Sequence, residues 1–393
     1  MSIYLDYNAT TPLDPQVLDA MMPYLTERYG NASSGHWAGK LARAGIDRAR
    51  EQVAAMLGCD AEEIVFTGGA SEANNMCLKG AAWEQRGLPP RRLLTSVVEH
   101  ASVANACDFL QRREEYVVHK LPVDPYGMVR LDEARLTSDT TLVSLMRAQN
   151  EVGTLQPVQS LVEMVREKCP NALVHTDACQ AGGKIPVNVK DLGVDMCVIA
   201  AHKFYGPKGT AAAYIRKGLK LESLVHGVAH ESGRRAGTEN VAGIVGMGAA
   251  CELAVSRMEA VTSHLVALRE RLWERLQAAF PGAVRNGHPT EILPNTLNVC
   301  LRNIDTTSLL AAVGADLALS NGAACHWGIT KPSAVLSAMG VHPEHAMGAI
   351  RFSLGKNTSE SDVDEAVRLL KDRAQEYTPG SVVFSQGGPE TSQ

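Results

Sequence analysis

Short apolar runs alternate with stretches of helical period over the first two-thirds of the chain. This alternation is typical of a mostly parallel sheet covered by helices. Buried strands are predicted at residues 64–67, 92–95, 142–146, 173–177, 196–200 and 210–215. Helices are predicted at residues 14–30, 38–57, 71–86 and 101–113, the first with proline at its start and the second stopped by Gly58.

The pattern changes in the last third. A long helix is predicted from about residue 240 to 280, with a break near Thr262. After Pro281, strands and helices mix, which favours a smaller α+β domain. The strands are predicted at 296–301 and 349–353, and the helices at 306–313 and 359–377.

These patterns divide the chain. We predict a large α/β domain over residues 13–255 and a small α+β domain over residues 1–12 and 256–377. Residues 378–393 are rich in Gly, Ser, Pro and Gln, a composition that favours a disordered tail.

Composition excludes several classes of protein. The chain has 393 residues, 45% hydrophobic and 21% charged, with a net charge of -5. That charge argues against nucleic acid or an anionic membrane as the main partner. The chain has no run of about 18 apolar residues, which a membrane-spanning helix would need. The N-terminus lacks an export signal, and we expect a cytoplasmic protein.

The spacing of the cysteines bears on disulfide bonds and metal sites. The nine cysteines are irregularly spaced and no Cys-x-x-Cys occurs. Neither a disulfide framework nor a zinc site is indicated, and we predict no metal. Most of these thiols are expected to be buried as small hydrophobic groups.

The segment A-A-H-K-F-Y-G-P-K-G at residues 200–209 carries the sharpest chemical signal. Lys203 lies at the exit of a buried strand, where an ammonium group is costly to bury. Conversion of the amine to a Schiff base would remove that cost. The competing interpretation is a solvated loop lysine.

A carboxylate follows a neighbouring strand, in H-T-D-A-C-Q at residues 175–180. Asp177 is expected to point into the crevice where α/β sheets bind ligands. A lysine and an aspartate so placed are the pair that pyridoxal-phosphate chemistry needs, because the aspartate keeps the ring nitrogen protonated. A turn or capping aspartate is the alternative.

Three other strand ends carry polar residues. T-G-G-A-S-E-A-N-N at residues 67–75 opens a helix at Ser71, and free backbone N–H groups there suit a phosphate. His100 in V-E-H-A-S could stack on a ring or move protons. Asn150 follows another strand. Each could equally be structural.

Cys325 lies in S-N-G-A-A-C-H-W-G, which reads as a glycine-rich, accessible loop. A nucleophilic thiol needs access and some thiolate character. An ordinary loop cysteine is the alternative, but all these elements occur in order on one α/β pattern.

Together, H-K-F-Y-G-P-K-G, H-T-D-A-C-Q, R-A-G-T-E-N and G-A-A-C-H resemble the cysteine desulfurases of the fold-type I pyridoxal-phosphate (PLP) enzymes, and their relative selenocysteine lyase. The likeness runs from Y-L-D-Y-N-A-T-T-P at residue 4 to R-F-S-L-G at residue 351. It implies a fold-type I transferase, with a seven-stranded, mostly parallel sheet between helices plus a smaller α+β domain.

The resemblance also implies residue roles. Lys203 would carry PLP and Asp177 would pair with its ring nitrogen, while Gln180 and Asn150 would bond the ring hydroxyl side. His100 would stack on the ring and move protons. Ala70, Ser71 and His202 would hold the phosphate, Thr238 would reach it from a partner subunit, Arg351 and Asn150 would bind substrate, and Cys325 would accept the sulfur.

The implied activity is removal of sulfur from L-cysteine, which gives L-alanine and a Cys325 persulfide that passes to an acceptor protein. A shared active site implies a homodimer. Iron–sulfur assembly, tRNA thiolation, cofactor synthesis and DNA sulfur modification all remain open as destinations for the sulfur.

The chain departs from the family pattern at three places. Ala200 stands where serine is usual, which removes one phosphate hydroxyl. Arg147 and Gln149 replace a histidine and an asparagine before Asn150, and would alter ring or acceptor contacts. The loop after the cysteine, residues 326–330, also differs.

These departures leave alternatives to the desulfurase. A selenocysteine lyase has the same fold and a similar Gly-Ala-Ala-Cys-His sequence. A sulfur-relay scaffold with little turnover would explain the missing hydroxyl. An aminotransferase on this fold would not need Cys325.

Overall fold

The computed structural model describes residues 2–87, 91–321, 323–326 and 329–377, with side chains at all of these positions except 323–326 and 329–331. The predicted disordered tail, residues 378–393, lies outside the described residues. The strands are β1 (Ile3–Tyr4), β2 (Ile64–Thr67), β3 (Arg92–Ser96), β4 (Val117–Leu121), β5 (Thr140–Ser144), β6 (Leu173–Asp177), β7 (Met196–Ala200), β8 (Ala211–Ile215), β9 (Ala229–His230), β10 (Arg235–Ala236), β11 (Val284–Asn286), β12 (Thr296–Cys300), β13 (Leu317–Ala318), β14 (Ser320–Asn321), β15 (Ala323–His326), β16 (Ile329–Pro332) and β17 (Ala349–Ser353).

The described helices are α1 (Pro15–Thr26), α2 (Trp37–Leu57), α3 (Ala70–Glu84), α4 (Ala101–Arg113), α5 (Val158–Lys168), α6 (Val189–Leu192), α7 (Val241–Ala279), α8 (Thr306–Val313), α9 (Ala334–Ala338), α10 (Pro343–Met347) and α11 (Glu360–Ala374). Seven of the described helices, α1 to α4, α7, α8 and α11, overlap predicted helical stretches, and the other four were not predicted. Local signals set their ends: Asp14 accepts a hydrogen bond from Gln16 N at the start of α1, and Gly58 ends α2 with a φ of 68°.

The central sheet has seven strands in the order β2-β8-β7-β6-β5-β3-β4. Strands β3 to β7 run parallel to one another, and β8 is antiparallel to both β2 and β7. The predicted mostly parallel, seven-stranded sheet is therefore confirmed.

Both faces of this sheet are buried. Adjacent residues of β7, Val198 and Ile199, belong to different apolar clusters, the first with Met76 of α3 and the second with Met247 of α7. Strands buried on both faces read as continuous apolar runs, which is why the sequence revealed them. The edge strand β4 was missed because its half-exposed V-V-H-K-L gives no such run.

The predicted strand at 142–146 ends earlier than expected. It finishes at Ser144, and Met146 N donates to the Glu99 carboxylate at 3.1 Å. Arg147 N still donates to Asp177 O at 2.8 Å, so hydrogen bonding to β6 continues past the end of the strand.

A second sheet, with the order β11-β12-β17-β14, is antiparallel throughout. A third apolar cluster covers it, and includes Leu5, Leu272, Phe352 and Leu370. The mixture of helices and strands predicted after residue 281 is thus present. The predicted domain boundary between residues 255 and 256 falls inside α7 and stays a prediction.

Helix α7 is continuous over 39 residues, so the predicted break near Thr262 is wrong. Thr262 Oγ1 donates to Lys184 O at 3.1 Å, which accommodates this β-branched residue inside the helix. The helix packs against α1 and α2 at its start and against α11 further along.

Within the described chain, α7 passes a length-and-composition test for a membrane span, with a mean hydropathy of 1.4 over 18 residues. Of that window, 44% is buried in the protein, and core helices of soluble proteins pass the same test. The predicted absence of a membrane segment stays a prediction.

Candidate active site

A cavity of about 620 Å³ opens at the carboxyl ends of the parallel strands. This volume suits a small-molecule site, and open α/β sheets bind ligands at this edge. Loops that follow five strands of the sheet supply its walls. The predicted site residues that line it are Ala70, Ser71, His100, Asn150, Asp177, Gln180, His202 and Lys203.

Lys203 lies in a short 3-10 turn directly after β7. Its Nζ donates to the backbone oxygens of Asn8 at 2.6 Å and of Ala9 at 2.9 Å. Burial disfavours the charged amine and lowers the pKa of Lys203 below its ordinary value. A lowered pKa leaves more neutral amine at pH 7, which is the form that attacks an aldehyde.

Asp177 ends the neighbouring strand β6 and is 5% exposed. Its Oδ1 accepts from Cys179 N at 2.9 Å, and its Oδ2 accepts from Asn74 Nδ2 at 2.7 Å. A carboxylate fixed by two donors at the cavity wall can keep a proton on a ring nitrogen.

Asn74 is a residue that the sequence analysis missed. It is fully buried on α3, and contacts Ser102 Oγ at 2.9 Å and His175 Nε2 at 3.1 Å as well as Asp177. The available signal was a polar residue one helical turn after Ser71 in the same motif. Asn74 joins the Asp177 side of the cavity to the His100 side.

The opposite end of the cavity is the start of α3. Its N-cap residue Gly69 has no side chain to cap the free backbone N–H groups, and Ser71 lies in the first turn. Such a helix start attracts an anion. His202 Nδ1 lies 3.2 Å from Thr10 Oγ1, and burial together with the Lys203 charge lowers the pKa of His202 to about 4.

Two residues of this end bear on whether a phosphate fits. Thr210, 2% exposed, lines the cavity, and its Oγ1 has no hydrogen-bond partner among the described residues. Ala200 is fully buried in β7, so no hydroxyl is available there. An unpaired buried hydroxyl and an uncapped helix start together fit an anionic group.

Asn8 connects several groups of the site. Its backbone oxygen accepts from Gln180 Nε2 at 3.0 Å as well as from Lys203, and its Oδ1 accepts from Lys184 Nζ at 3.1 Å. Lys184, 7% exposed, also donates to Gln180 Oε1 at 2.7 Å, and burial lowers the pKa of Lys184 well below its ordinary value. Neither Asn8 nor Lys184 was predicted, because the contact between them spans 176 positions.

Arg351 lies next to the cavity and is joined to it through Asn150. Its Nη1 donates to Asn150 O at 3.1 Å, and its Nη2 donates to Asp6 Oδ1 and Ser320 Oγ, both at 2.7 Å. Its Nε is buried and has no partner in the part of the chain that the structure describes. The guanidinium is thus fixed in place with its Nε–H still unused.

Arg147 and Gln149, which depart from the family pattern, hold the conformation of a loop. Gln149 Oε1 accepts from Val152 N at 2.9 Å, and Arg147 Nη1 donates to Gln156 O at 2.9 Å. The cavity is lined by their neighbours Met146, Ala148 and Asn150 instead. The contacts described for Arg147 and Gln149 are therefore structural ones.

Thr238 lines a neighbouring cavity of about 70 Å³. Gly68, Gly209 and Thr210 line both cavities. The chain therefore places its own Thr238 beside the large cavity, and the role predicted for it in a partner's site stays a prediction.

Cys325 belongs to β15, which pairs with β16 in an antiparallel hairpin. The expected glycine-rich loop is therefore wrong for residues 323–326, whose backbone hydrogen bonds form a ladder. The Cys325 side chain lies outside the described residues. The other eight cysteines are free thiols, and seven of them are buried.

Comparison with known proteins agrees with this geometry. A family model described as aminotransferase class-V matches residues 3–366. The cysteine desulfurase IscS of Dictyoglomus turgidum is 42% identical over 372 residues, which cover 94% of this chain and 93% of that protein.

Solved structures are similar as well. A NifS-like protein has a TM-score of 0.89 at 39% identity, and the match covers 95% of this chain and 99% of that one. A structure described as SspA in complex with cysteine has a TM-score of 0.79 at 32% identity, over 91% of this chain and 100% of that one.

Proposed function

The chain belongs to the cysteine desulfurases of the class-V aminotransferase family, which depend on PLP, and from this premise we propose that it converts L-cysteine to L-alanine and retains the sulfur as a persulfide on Cys325. The observation that carries the proposal is the pairing of Lys203 and Asp177. Asp177 ends β6 and Lys203 lies in the turn after the adjacent parallel strand β7, and both line one cavity with a phosphate-compatible helix start.

Bound PLP supplies an electron-withdrawing ring that weakens the bonds of the attached substrate. Lys203 would hold the cofactor and then take the substrate α-proton, while Asp177 would keep the ring nitrogen protonated. The start of α3, Ser71 and His202 would hold the phosphate. Arg351 would bind the substrate carboxylate with its planar guanidinium.

Sulfur transfer needs a thiolate. The Cys325 sulfur forms a bond to the substrate sulfur while the substrate C–S bond breaks, and that electron pair stays on the β carbon. Protonation of this carbon gives alanine, and an acceptor protein then takes the outer sulfur. The hairpin that carries Cys325 must move between the two encounters.

The working unit is proposed to be a homodimer. Helices α1 and α2 expose large apolar side chains, among them Met22, Leu25 at 57% and Trp37 at 69%. This face adjoins the segment that carries Thr238, because Arg43 of α2 pairs with Glu239 at 2.7 Å. Exposed apolar surface of this kind favours a partner, and a second copy would bring Thr238 to the neighbouring site.

The catalytic proposal is tested by incubating the protein with cysteine and, in parallel, with selenocysteine. Wild type is expected to release alanine from cysteine and to carry a persulfide on Cys325, seen by mass spectrometry. Cys325→Ala should keep the absorbance of bound PLP and lose the persulfide, whereas the control Cys59→Ala should behave as wild type. Turnover of selenocysteine alone would make the protein a selenocysteine lyase.

The shared site is tested by mixing two variants. Lys203→Ala and Thr238→Val protomers, refolded together, should regain one intact site per mixed dimer. No recovery of PLP affinity and activity in the mixture would contradict a Thr238 contribution from the partner.

A further inference from the structure

His100 caps helix α4 through one ring nitrogen. Its Nδ1 accepts from Ser102 N at 3.1 Å and lies 2.8 Å from Ser102 Oγ. A backbone N–H can only donate, so this contact favours an unprotonated Nδ1, and the Ser102 hydroxyl is a second group that can donate to the same atom. The ring proton of a neutral His100 is then on Nε2.

The hydroxyl of Ser102 is oriented by a second contact. An ionised Asp177 carboxylate only accepts, which assigns the Asn74 Nδ2 atom to the contact at 2.7 Å. The other hydrogen of Nδ2 goes to Ser102 Oγ at 2.9 Å. Because Ser102 Oγ accepts there, its own hydrogen is free to point at His100 Nδ1.

The contact of the Asn74 side-chain oxygen agrees with this assignment. Its Oδ1 lies 3.1 Å from His175 Nε2, and His175 Nδ1 lies 2.9 Å from Ser144 Oγ. Burial lowers the pKa of His175 to about 4, so this imidazole is neutral at pH 7 and carries one proton. With the His175 proton on Nε2, each hydrogen bond along the series Ser144, His175, Asn74, Ser102 and His100 has one donor and one acceptor.

We propose that Ser102 and Asn74 are positioning residues that fix the His100 proton on Nε2 and tie it to the Asp177 carboxylate. His100 therefore presents a hydrogen-bond donor at its free nitrogen and cannot act as a base at that atom. This deepens the proposed function and rests on it, because it takes the His100 ring to face the cofactor and substrate.

A purely structural role for Ser102 makes a different prediction. Ser102→Ala keeps the backbone N–H that caps α4 and removes only the hydroxyl, and alanine is a strong helix former. If the serine matters only for folding, the tautomer of His100 will not change. Ser102→Thr keeps the hydroxyl and is the matched control.

The test is NMR of full-length protein with ¹⁵N-labelled histidine, with and without PLP, in which the His100 signals are identified by their loss in His100→Asn. Wild type and Ser102→Thr should show a protonated Nε2 and an unprotonated Nδ1. Ser102→Ala should show a mixture of both tautomers, and the pH profile of alanine release should change in this variant but not in Ser102→Thr.

The proposal is overturned if wild type carries the proton on Nδ1, or if Ser102→Ala keeps the wild-type tautomer. Should Ser102→Ala fail to fold, as seen by its melting temperature, Asn74→Ala takes its place and should give a smaller shift in the same direction. Absence of alanine release from cysteine would defeat the proposed function instead, and the tautomer result would still stand.

Discussion

The two ends of the cavity differ in how completely their polar groups are paired. At the ring end, Asp177, Asn74, Gln180 and Lys184 all hold defined hydrogen bonds. At the phosphate end, α3 begins without a side-chain cap and the Thr210 hydroxyl has no described partner. The ring end is therefore organised by the chain alone, whereas the phosphate end is left for a ligand to complete.

This difference separates catalysis from affinity. Groups that are fixed in advance cost little reorganisation during a reaction, so changes at the ring end should act on turnover. Unpaired groups gain a partner when a ligand arrives, so changes at the phosphate end should act on cofactor binding.

The largest expected effect is that of Lys203→Ala, at the boundary between the two ends. Alanine release should fall by at least about 10³-fold, because this amine both holds the cofactor and moves the substrate proton. PLP should still bind non-covalently through the phosphate end, which equilibrium dialysis can measure. Lys208→Ala, an exposed residue of the same cavity, is the control, and complete loss of PLP binding in Lys203→Ala would remove the distinction between the ends.

A second prediction concerns His175, which is fully buried behind the ring end. The pKa of His175 is lowered from 6.5 to about 4, so the unfolded chain binds more protons between these values. Stability must then fall as the pH drops below 6.5, by about 2 kcal/mol at pH 5 from this residue. Urea unfolding at pH 7 and pH 5 should show a shallower pH dependence for His175→Gln than for wild type at equal protein concentration.

An equal slope in the two proteins would mean that His175 is protonated in the folded state. The ring end would then not be buried from water, and the arrangement of hydrogen-bond donors around Asn74 would have to change.

The smallest effect is expected for Thr210→Val, at the phosphate end. Loss of one hydrogen bond to the ligand should weaken PLP binding by about fivefold, or about 1 kcal/mol. The stability of the ligand-free protein should stay equal or rise, because an unpaired hydroxyl is removed. A drop in ligand-free stability would show that the hydroxyl already has a partner.

Sequence patterns predicted some residues of the candidate site and not others. Lys203, Asp177 and Ser71 were predictable because each follows a buried apolar run, and the ends of parallel strands meet at one edge. Asn8 and Lys184 were not, because their contact joins distant parts of the chain, and Asn74 was missed although it lies one helical turn after Ser71. Asn74 meets Asp177 across 103 positions, and Asn8 meets Lys184 across 176.

The same reasoning explains the errors in the fold. The break expected in α7 near Thr262 is absent, and the Thr262 hydroxyl donates to the distant backbone oxygen of Lys184. The loop expected around Cys325 rested on small residues, yet those residues pair with the strand at Ile329–Pro332. Small residues therefore do not by themselves exclude a strand, because pairing with a facing strand also decides the structure.

The position of Asn8 has a consequence for synthesis of the protein. Its N–H donates to Ser353 Oγ at 2.9 Å, 345 positions later. The oxygens that hold Lys203 are therefore placed only after the ribosome has added the residues between Asn8 and Ser353. Trimming the first nine residues would damage the catalytic centre as directly as a substitution inside it.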